Sequence, residues 1–227
     1  MYDIEKYVLL FFIYAFLGWI MEVIGKLIQQ KKFINRGFLI GPYCPIYGHG
    51  AILITILLSR YKANPFILFF MAILICSILE YATSYFMEKI FHARWWDYSQ
   101  YKFNINGRIC LRTMIPFGIL GCFIIYISNP LFLEIIEKIP QSILLVLCIF
   151  LVSIFIIDNL ISFNIIRNVQ TTGKKIKDNT EEITQKVKEI LIKRSILHRR
   201  LIQAFPNMKI RIKQKIKQRN NRKENQT

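Results

Sequence analysis

The residues of this chain best placed to do chemistry are carboxylates set inside apolar runs. Glu22 falls late in a run from about Tyr7 to Leu27, and Glu80 about two thirds along another from about Pro65 to Met87. A carboxylate inside a bilayer is costly, so it faces the interior of a helix bundle and takes a partner there. Lys26, four residues after Glu22 on the same helix face, is a local partner. Glu80, Ser84 and Glu88 follow one another at spacing four and draw one polar stripe along an otherwise apolar helix. Such a stripe must face protein or water. It suits either a polar path with a proton- or cation-linked site, or a structural network holding helices in register. Arg36, Arg108 and Arg112 are the matching cations, since a guanidinium presents a planar fork to a carboxylate or a phosphate. Arg112, one turn into an apolar run, has the simpler option of snorkelling to the interface. Asp158 is another carboxylate deep in a run, with Asn159 and Asn164 near it in sequence.

Between the first two runs lies Asn35–Gly50, N-R-G-F-L-I-G-P-Y-C-P-I-Y-G-H-G, with four glycines and two prolines. Backbone of this composition cannot form a regular helix, and lipid offers its freed N–H and C=O groups no partners. It must pack against protein or line a wet cavity, and in multipass proteins such backbone often marks the working part. Gly37, Gly41, Pro42, Cys44, Pro45, Tyr47 and Gly48 are therefore read as the structural motif. Asn35 and Arg36 join Glu22, Glu80, Ser84, Glu88, Asp97, Asn106 and Arg108 as the candidate polar path or ligand site. Trp95, Trp96, Tyr98 and Tyr101 around Asp97 read as an interfacial aromatic belt. Cys44 and His49 are only two ligands and do not make a metal site. No metal and no cofactor is expected. The five cysteines, an odd number with no C-x-x-C spacing, read as small packing residues rather than a disulfide framework.

These residues need elements to hold them. With 54% hydrophobic residues gathered in long runs, the chain reads as an all-α, polytopic transmembrane bundle. Five spans are expected: the two already named, a short one from about Tyr47 to Leu58, one from about Ile109 to Ile127, and one from about Ser142 to Ile165. A span needs roughly 20 apolar residues, so the short one could be a re-entrant hairpin. The start of the chain lacks the cationic region of a signal peptide, and its first run reads as a retained span. Residues 1–166 form the membrane domain and 167–227 a basic tail. Of 31 Lys/Arg and 14 Asp/Glu in all, the tail holds 18 and 5, leaving 13 and 9 for the membrane domain. With the tail in the cytoplasm, Lys31, Lys32 and Arg36 lie inside with Lys89, Arg94, Lys102, Arg108 and Arg112. Lys6, Arg60, Lys62 and Lys138 remain outside. Every loop then agrees with an N-terminus out and a C-terminus in.

The tail opens with a polar hinge, Gln170–Gly173. Ile176, Ile183, Ile190 and Leu197 then recur every seven residues, with Val187 and Leu201 on the complementary seam. This suits a coiled coil, and so a homo-oligomer, or an amphipathic helix on the membrane surface. The polybasic end after Pro206 favours anionic lipid or a partner protein over nucleic acid, because it hangs directly from a span. K-F-I-N-R-G after the first span has a short echo in K-F-N-I-N-G-R after the third.

No P-loop, G-x-S-x-G or H-E-x-x-H signature is present, so the common nucleotide- and ester-hydrolysing chemistries find no support. G-W-I-M-E-V at Gly18–Val23 and F-I-N-R-G-F-L-I-G-P-Y-C-P-I-Y-G at Phe33–Gly48 carry a resemblance. So do E-Y-A-T-S-Y-F-M-E-K-I-F at Glu80–Phe91, A-R-W-W-D-Y at Ala93–Tyr98 and F-N-I-N-G-R-I-C-L at Phe103–Leu111. Together they resemble the CmpB-like family of bacterial ABC-transporter type IV permeases, over roughly residues 10–130. His49 departs from it, standing where an apolar or aromatic residue is usual. The resemblance implies a multipass protein of the bacterial cytoplasmic membrane and a role in transport. The chain carries no ATP-binding domain and no E-A-A type coupling motif, so an ATP-binding subunit would be a separate chain. Two other functions are carried beside transport: a membrane-embedded enzyme acting on a lipid-linked or anionic substrate, and a non-catalytic scaffold or sensor.

Overall fold

In hydrocarbon a spanning segment must satisfy its own backbone, so long apolar runs become helices. The computed structural model describes residues 2–31, 33–91, 93–174, 196–204 and 209–210 and shows this all-α, polytopic bundle. Four stretches are long and apolar enough to cross a membrane. They are Ile4–Gln30 within α1 (Tyr2–Gln30), Pro65–Phe91 (α3), Leu111–Glu137, and Gln141–Ile166 within α6 (Gln141–Lys174). Between the first two lies α2 (Pro45–Leu58), 14 residues long and extended by a 3₁₀ turn at Ser59–Tyr61. The bundle is apolar outside as well as inside: Phe66, Val146 and Phe150 are exposed at 78%, 67% and 60%. That is the surface a lipid-facing protein presents.

The span starting at Leu111 outruns its expected end at Ile127. It consists of α4 (Leu111–Phe123), a π turn (Ile124–Ser128) and α5 (Asn129–Glu137). Pro130 follows the π turn directly, where the altered backbone pairing accommodates its missing N–H without ending the helix. The wide turn is pinned by buried side chains. The Tyr14 hydroxyl donates to Asn129 Oδ1 at 2.6 Å and lies 2.8 Å from Ser128 Oγ, while Asn129 Nδ2 donates to Thr55 Oγ1 at 2.8 Å.

The helices pack through three apolar clusters. Leu10, Tyr14, Ala51, Ile136 and Leu144 fill one, and Ile54, Leu58, Leu68, Ala72 and Ile125 another. The third, at the end where α1, α3 and α6 finish, joins Phe91, Trp95 and Ile166 to Leu201 and Ile202 of α7 (Ile196–Ala204). Gly48 lets α1 and α2 touch, since a Cβ there would lie 2.6 Å from the Phe11 carbonyl oxygen. Alanine gains about 1 kcal/mol of helix propensity over glycine. Overpacking against backbone costs about 1–3 kcal/mol, and a carbonyl cannot swing aside as a side chain does. Gly48→Ala is thus expected to lower, not raise, the thermal midpoint in detergent.

Two short ladders complete the chain. Asn104–Ile105 (β2) and Ile109–Cys110 (β3) form a hairpin, while Ala93–Arg94 (β1) pairs with Lys209–Ile210 (β4). The hairpin turns on Asn106 and Gly107, both in the left-handed region (φ 52° and 65°), as an Asn-Gly turn requires. The polar hinge expected at Gln170–Gly173 is helical: α6 runs through it to Lys174. The low propensity of Thr171–Gly173 amounts to only about 2 kcal/mol in all, too little to stop a helix already nucleated over a long span. Ile176, Ile183, Val187 and Ile190 of the heptad pattern lie outside the described residues. Leu201, from the same pattern, is buried against the bundle.

Candidate functional site

The Asn35–Gly50 segment descends into the bundle. α1 closes with Lys31 in the left-handed region, its N–H bonded to Leu27 O at 2.8 Å. The chain then bends back along α1, until Cys44 N donates to Ala15 O at 2.9 Å, near the middle of that helix. Pro45 opens α2 there, with Cys44 as the extended residue before it. The freed backbone donors find partners in protein. Ile40 N and Gly41 N donate to the two oxygens of Asp158 at 2.9 and 2.7 Å, and the Tyr43 hydroxyl adds a third bond at 2.6 Å. The Ser162 hydroxyl holds the same carboxylate at 2.9 Å. Asn35 bridges inward, accepting from Trp19 Nε1 at 2.7 Å and donating to Ile40 O at 3.0 Å. Gly37 turns with φ 105°, and Pro42 stands exposed beside Gly41.

Glu22 is met from this segment. Tyr47 donates to its Oε1 at 2.8 Å, and Arg36 Nε lies 3.3 Å from its Oε2. Lys26, the partner expected from spacing, instead reaches Gln29 at 3.0 Å. An i,i+4 pair adds only about 0.2–0.5 kcal/mol, less than a hydrogen-bonded guanidinium in a half-buried setting. Cys44, in the same segment, is buried.

The Glu80–Ser84–Glu88 stripe faces protein, as expected, and the loop carrying the hairpin folds over it. Glu80, 8% exposed, accepts from the Tyr98 hydroxyl at 3.3 Å, and the Thr113 hydroxyl lies 3.5 Å from its other oxygen. Among the described residues it forms no ion pair. Ser84 accepts from Arg108 Nη1 at 3.1 Å. Glu88 binds two arginines through one oxygen, Arg108 Nη2 at 2.8 Å and Arg94 Nε at 3.2 Å. Arg108 also lies over the Tyr81 and Tyr85 rings, at 5.6 and 5.4 Å. Asp97 takes Arg94 Nη1 at 3.5 Å, and Asn106 donates to the Tyr81 hydroxyl at 2.8 Å. Arg112 stays exposed over the Tyr101 ring at 5.5 Å, as its snorkelling option predicts.

The two halves meet at Tyr98. Burial and the Glu80 carboxylate push its hydroxyl well above the ordinary tyrosine range, with a smaller contribution from Glu22. Glu22 and Glu80, from α1 and α3, thus share one electrostatic neighbourhood, with Tyr47 donating to the first and Tyr98 to the second. The sequence echo has a structural counterpart. In each copy an arginine after the Asn (Arg36, Arg108) pairs with a carboxylate from the preceding helix, and a cysteine precedes the next helix (Cys44, Cys110). The aromatic belt is corrected in one member. Trp95 is 3% exposed and packs against Phe91, Ile166 and Leu201, and Trp96 donates to Arg108 O at 3.0 Å. Asp158 is the residue that spacing undervalued. Apart from Ser162, its partners lie 115 to 118 residues away in sequence, so only its placement deep in an apolar run marked it.

This arrangement defines a multipass α-helical membrane protein with a polar centre under an irregular, protein-satisfied segment. A family model described as "Putative ABC-transporter type IV" matches residues 9–163, and the chain belongs to that family. The match reaches beyond the resemblance read over roughly residues 10–130 and takes in Asp158. No curated protein and no solved structure matches the chain.

Proposed function

We propose that the chain is the membrane-embedded, permease-like component of a transport system, and that its polar path runs through Glu22, Glu80 and Tyr98. The carrying observation is Glu80: a buried carboxylate within a membrane helix, approached by the Tyr98 and Thr113 hydroxyls and, among the described residues, by no cation. Glu88 is paired with two arginines and Asp158 takes four donors at 2.6–2.9 Å, whereas Glu80 has only two hydroxyls, at 3.3 and 3.5 Å. A carboxylate so loosely held is suited to exchange a proton or to meet a cation in transit. In this reading α2 and the segment before it make a fifth crossing, the N-terminus lies outside, and the basic tail lies in the cytoplasm against anionic lipid. ATP, where it drives the process, is hydrolysed by a separate chain.

The test is flux in proteoliposomes across a panel of ions and small solutes. Glu80→Gln keeps the shape and one acceptor oxygen for Tyr98, so its thermal midpoint should stay close to that of the parent. Flux of any solute the parent moves should fall about tenfold or more, the equivalent of roughly 1.4 kcal/mol on the barrier. Undiminished flux of every such solute would remove Glu80 from the path.

A further inference from the structure

α7 returns from the tail to the end of the bundle where the Asn35–Gly50 segment enters. Leu201 and Ile202 are 3% and 6% exposed, and Ala204 is fully buried. The seat is apolar and aromatic: Phe91, Trp95 and Ile166 form its floor, with Phe38 of the irregular segment at its edge. Phe38 lies on the Phe91 and Trp95 rings, at centroid separations of 5.5 and 5.8 Å.

The polar contacts run both ways between α7 and that segment. The Arg200 guanidinium donates to Leu39 O, and Arg36 donates to Ala204 O at the last turn of α7. A guanidinium at a helix C-terminus is favourable, because the last carbonyls carry the negative end of the helix dipole. Arg36 is also the partner of Glu22, so a single side chain joins the tail helix to the polar centre. Arg200 lies within electrostatic reach of Asp158, Cys44 and Tyr43, and its burial holds its own charge below the usual arginine range. A long basic side chain is not sunk against backbone unless the geometry around it is maintained.

We propose that α7 is an intramolecular latch. It closes the tail-side mouth of the Asn35–Gly50 segment, and its release uncovers that segment. Arg36 and Arg200 fasten it, and Leu201 and Ile202 seat it. A free amphipathic helix would have shown its apolar face to lipid or to a second copy, whereas here that face is taken up by the chain's own bundle.

The native cysteines allow a test that needs no transport substrate and so stands apart from the reading of Glu80. Cys44 is a buried residue of the segment, whereas Cys148 lies at the opposite end, its thiol donating to Glu5 O at 3.4 Å. The full chain in detergent is treated with a maleimide, and the rate of labelling at each cysteine is followed by peptide mass spectrometry. Leu201→Asp combined with Ile202→Asp should raise the Cys44 rate about tenfold or more and leave Cys148 unchanged, because thiol reactivity follows access. A second form guards against misfolding. A protease site inserted between Asn179 and Thr180 is cut after the protein has folded, and the severed tail then dilutes away. The same selective rise is expected. An unchanged Cys44 rate in the cut protein would overturn the latch. So would a matching rise at Cys148 in that protein, which would report general loosening of the bundle.

Discussion

Asp158→Ala is expected to lower the thermal midpoint by on the order of 10 °C, equivalent to about 3–5 kcal/mol for a chain of this size. The argument rests on what the carboxylate holds. Two backbone N–H groups and two hydroxyls converge on it, all at 2.6–2.9 Å. Hydrogen bonds to a charged group contribute about 1.5–3 kcal/mol each, and a buried donor left without an acceptor costs about 1–3 kcal/mol. The sum is not additive, because the freed segment can relax and Ser162 can turn to its own helix. Even so, Ile40 N and Gly41 N both lose the charged acceptor they now share. Asp158→Asn keeps one acceptor oxygen but turns an NH₂ toward donors, so it should fall between the parent and the alanine variant. The loss should be local in character. α-Helical circular dichroism at low temperature should be unchanged, while fluorescence of Trp19, which is tied to the segment through Asn35, should shift. A midpoint within about 2 °C of the parent, roughly the 1 kcal/mol scale, would show that the segment stands without its anchor.

That anchor shows what was legible in the chain and what was not. The apolar runs announced five helices, because hydrocarbon leaves a spanning backbone few choices; four are long and apolar enough to cross a membrane, and α2 is the short fifth. The spacing of Glu80, Ser84 and Glu88 announced a face turned to protein for the same reason. The irregular composition of Asn35–Gly50 announced that its backbone needed partners. None of these signals is long-range, and so none could say that the partners would be Ala15 O and Asp158. Spacing could not choose between the two partners offered for Glu22 for a related reason: Lys26 is near in sequence, but Arg36 is near in space. Trp95 was read as interfacial because Trp-Trp-Asp-Tyr is the composition of a membrane rim. It is buried because α7 returns to cover it. The Asn106-Gly107 hairpin differs from these cases. Its signal is local and was available, but the stretch was read for its charges, aromatic rings and repeated motif, not for its turn.

The second large effect concerns the other arginine cluster. Arg108→Met should destabilise the protein by about 3–5 kcal/mol, the range for removing one partner of a buried ion pair. Methionine matches much of the side chain's volume, so cavity formation contributes little and the electrostatic loss dominates. Glu88 would keep Arg94 at 3.2 Å but lose its shorter contact at 2.8 Å. Ser84 would lose a charged donor, and the Tyr81 and Tyr85 rings would lose the cation between them. The double variant Glu88→Gln with Arg108→Met separates two explanations. If the cost of the single change is a stranded carboxylate, neutralising Glu88 should recover part of it, leaving the pair with a coupling of about 1–3 kcal/mol. Recovery cannot be complete, because Arg94 would then have lost the Glu88 charge at 3.2 Å and kept the more distant Asp97 at 3.5 Å. If instead Arg108 acts mainly by clamping the loop over the stripe, the double variant should melt no higher than the single one. The same pair of melts thus tells whether the loop is held over Glu80 by charge or by packing. Only in the first case should its hold weaken measurably as salt is raised, and then only slightly, because the pair is shielded from solvent.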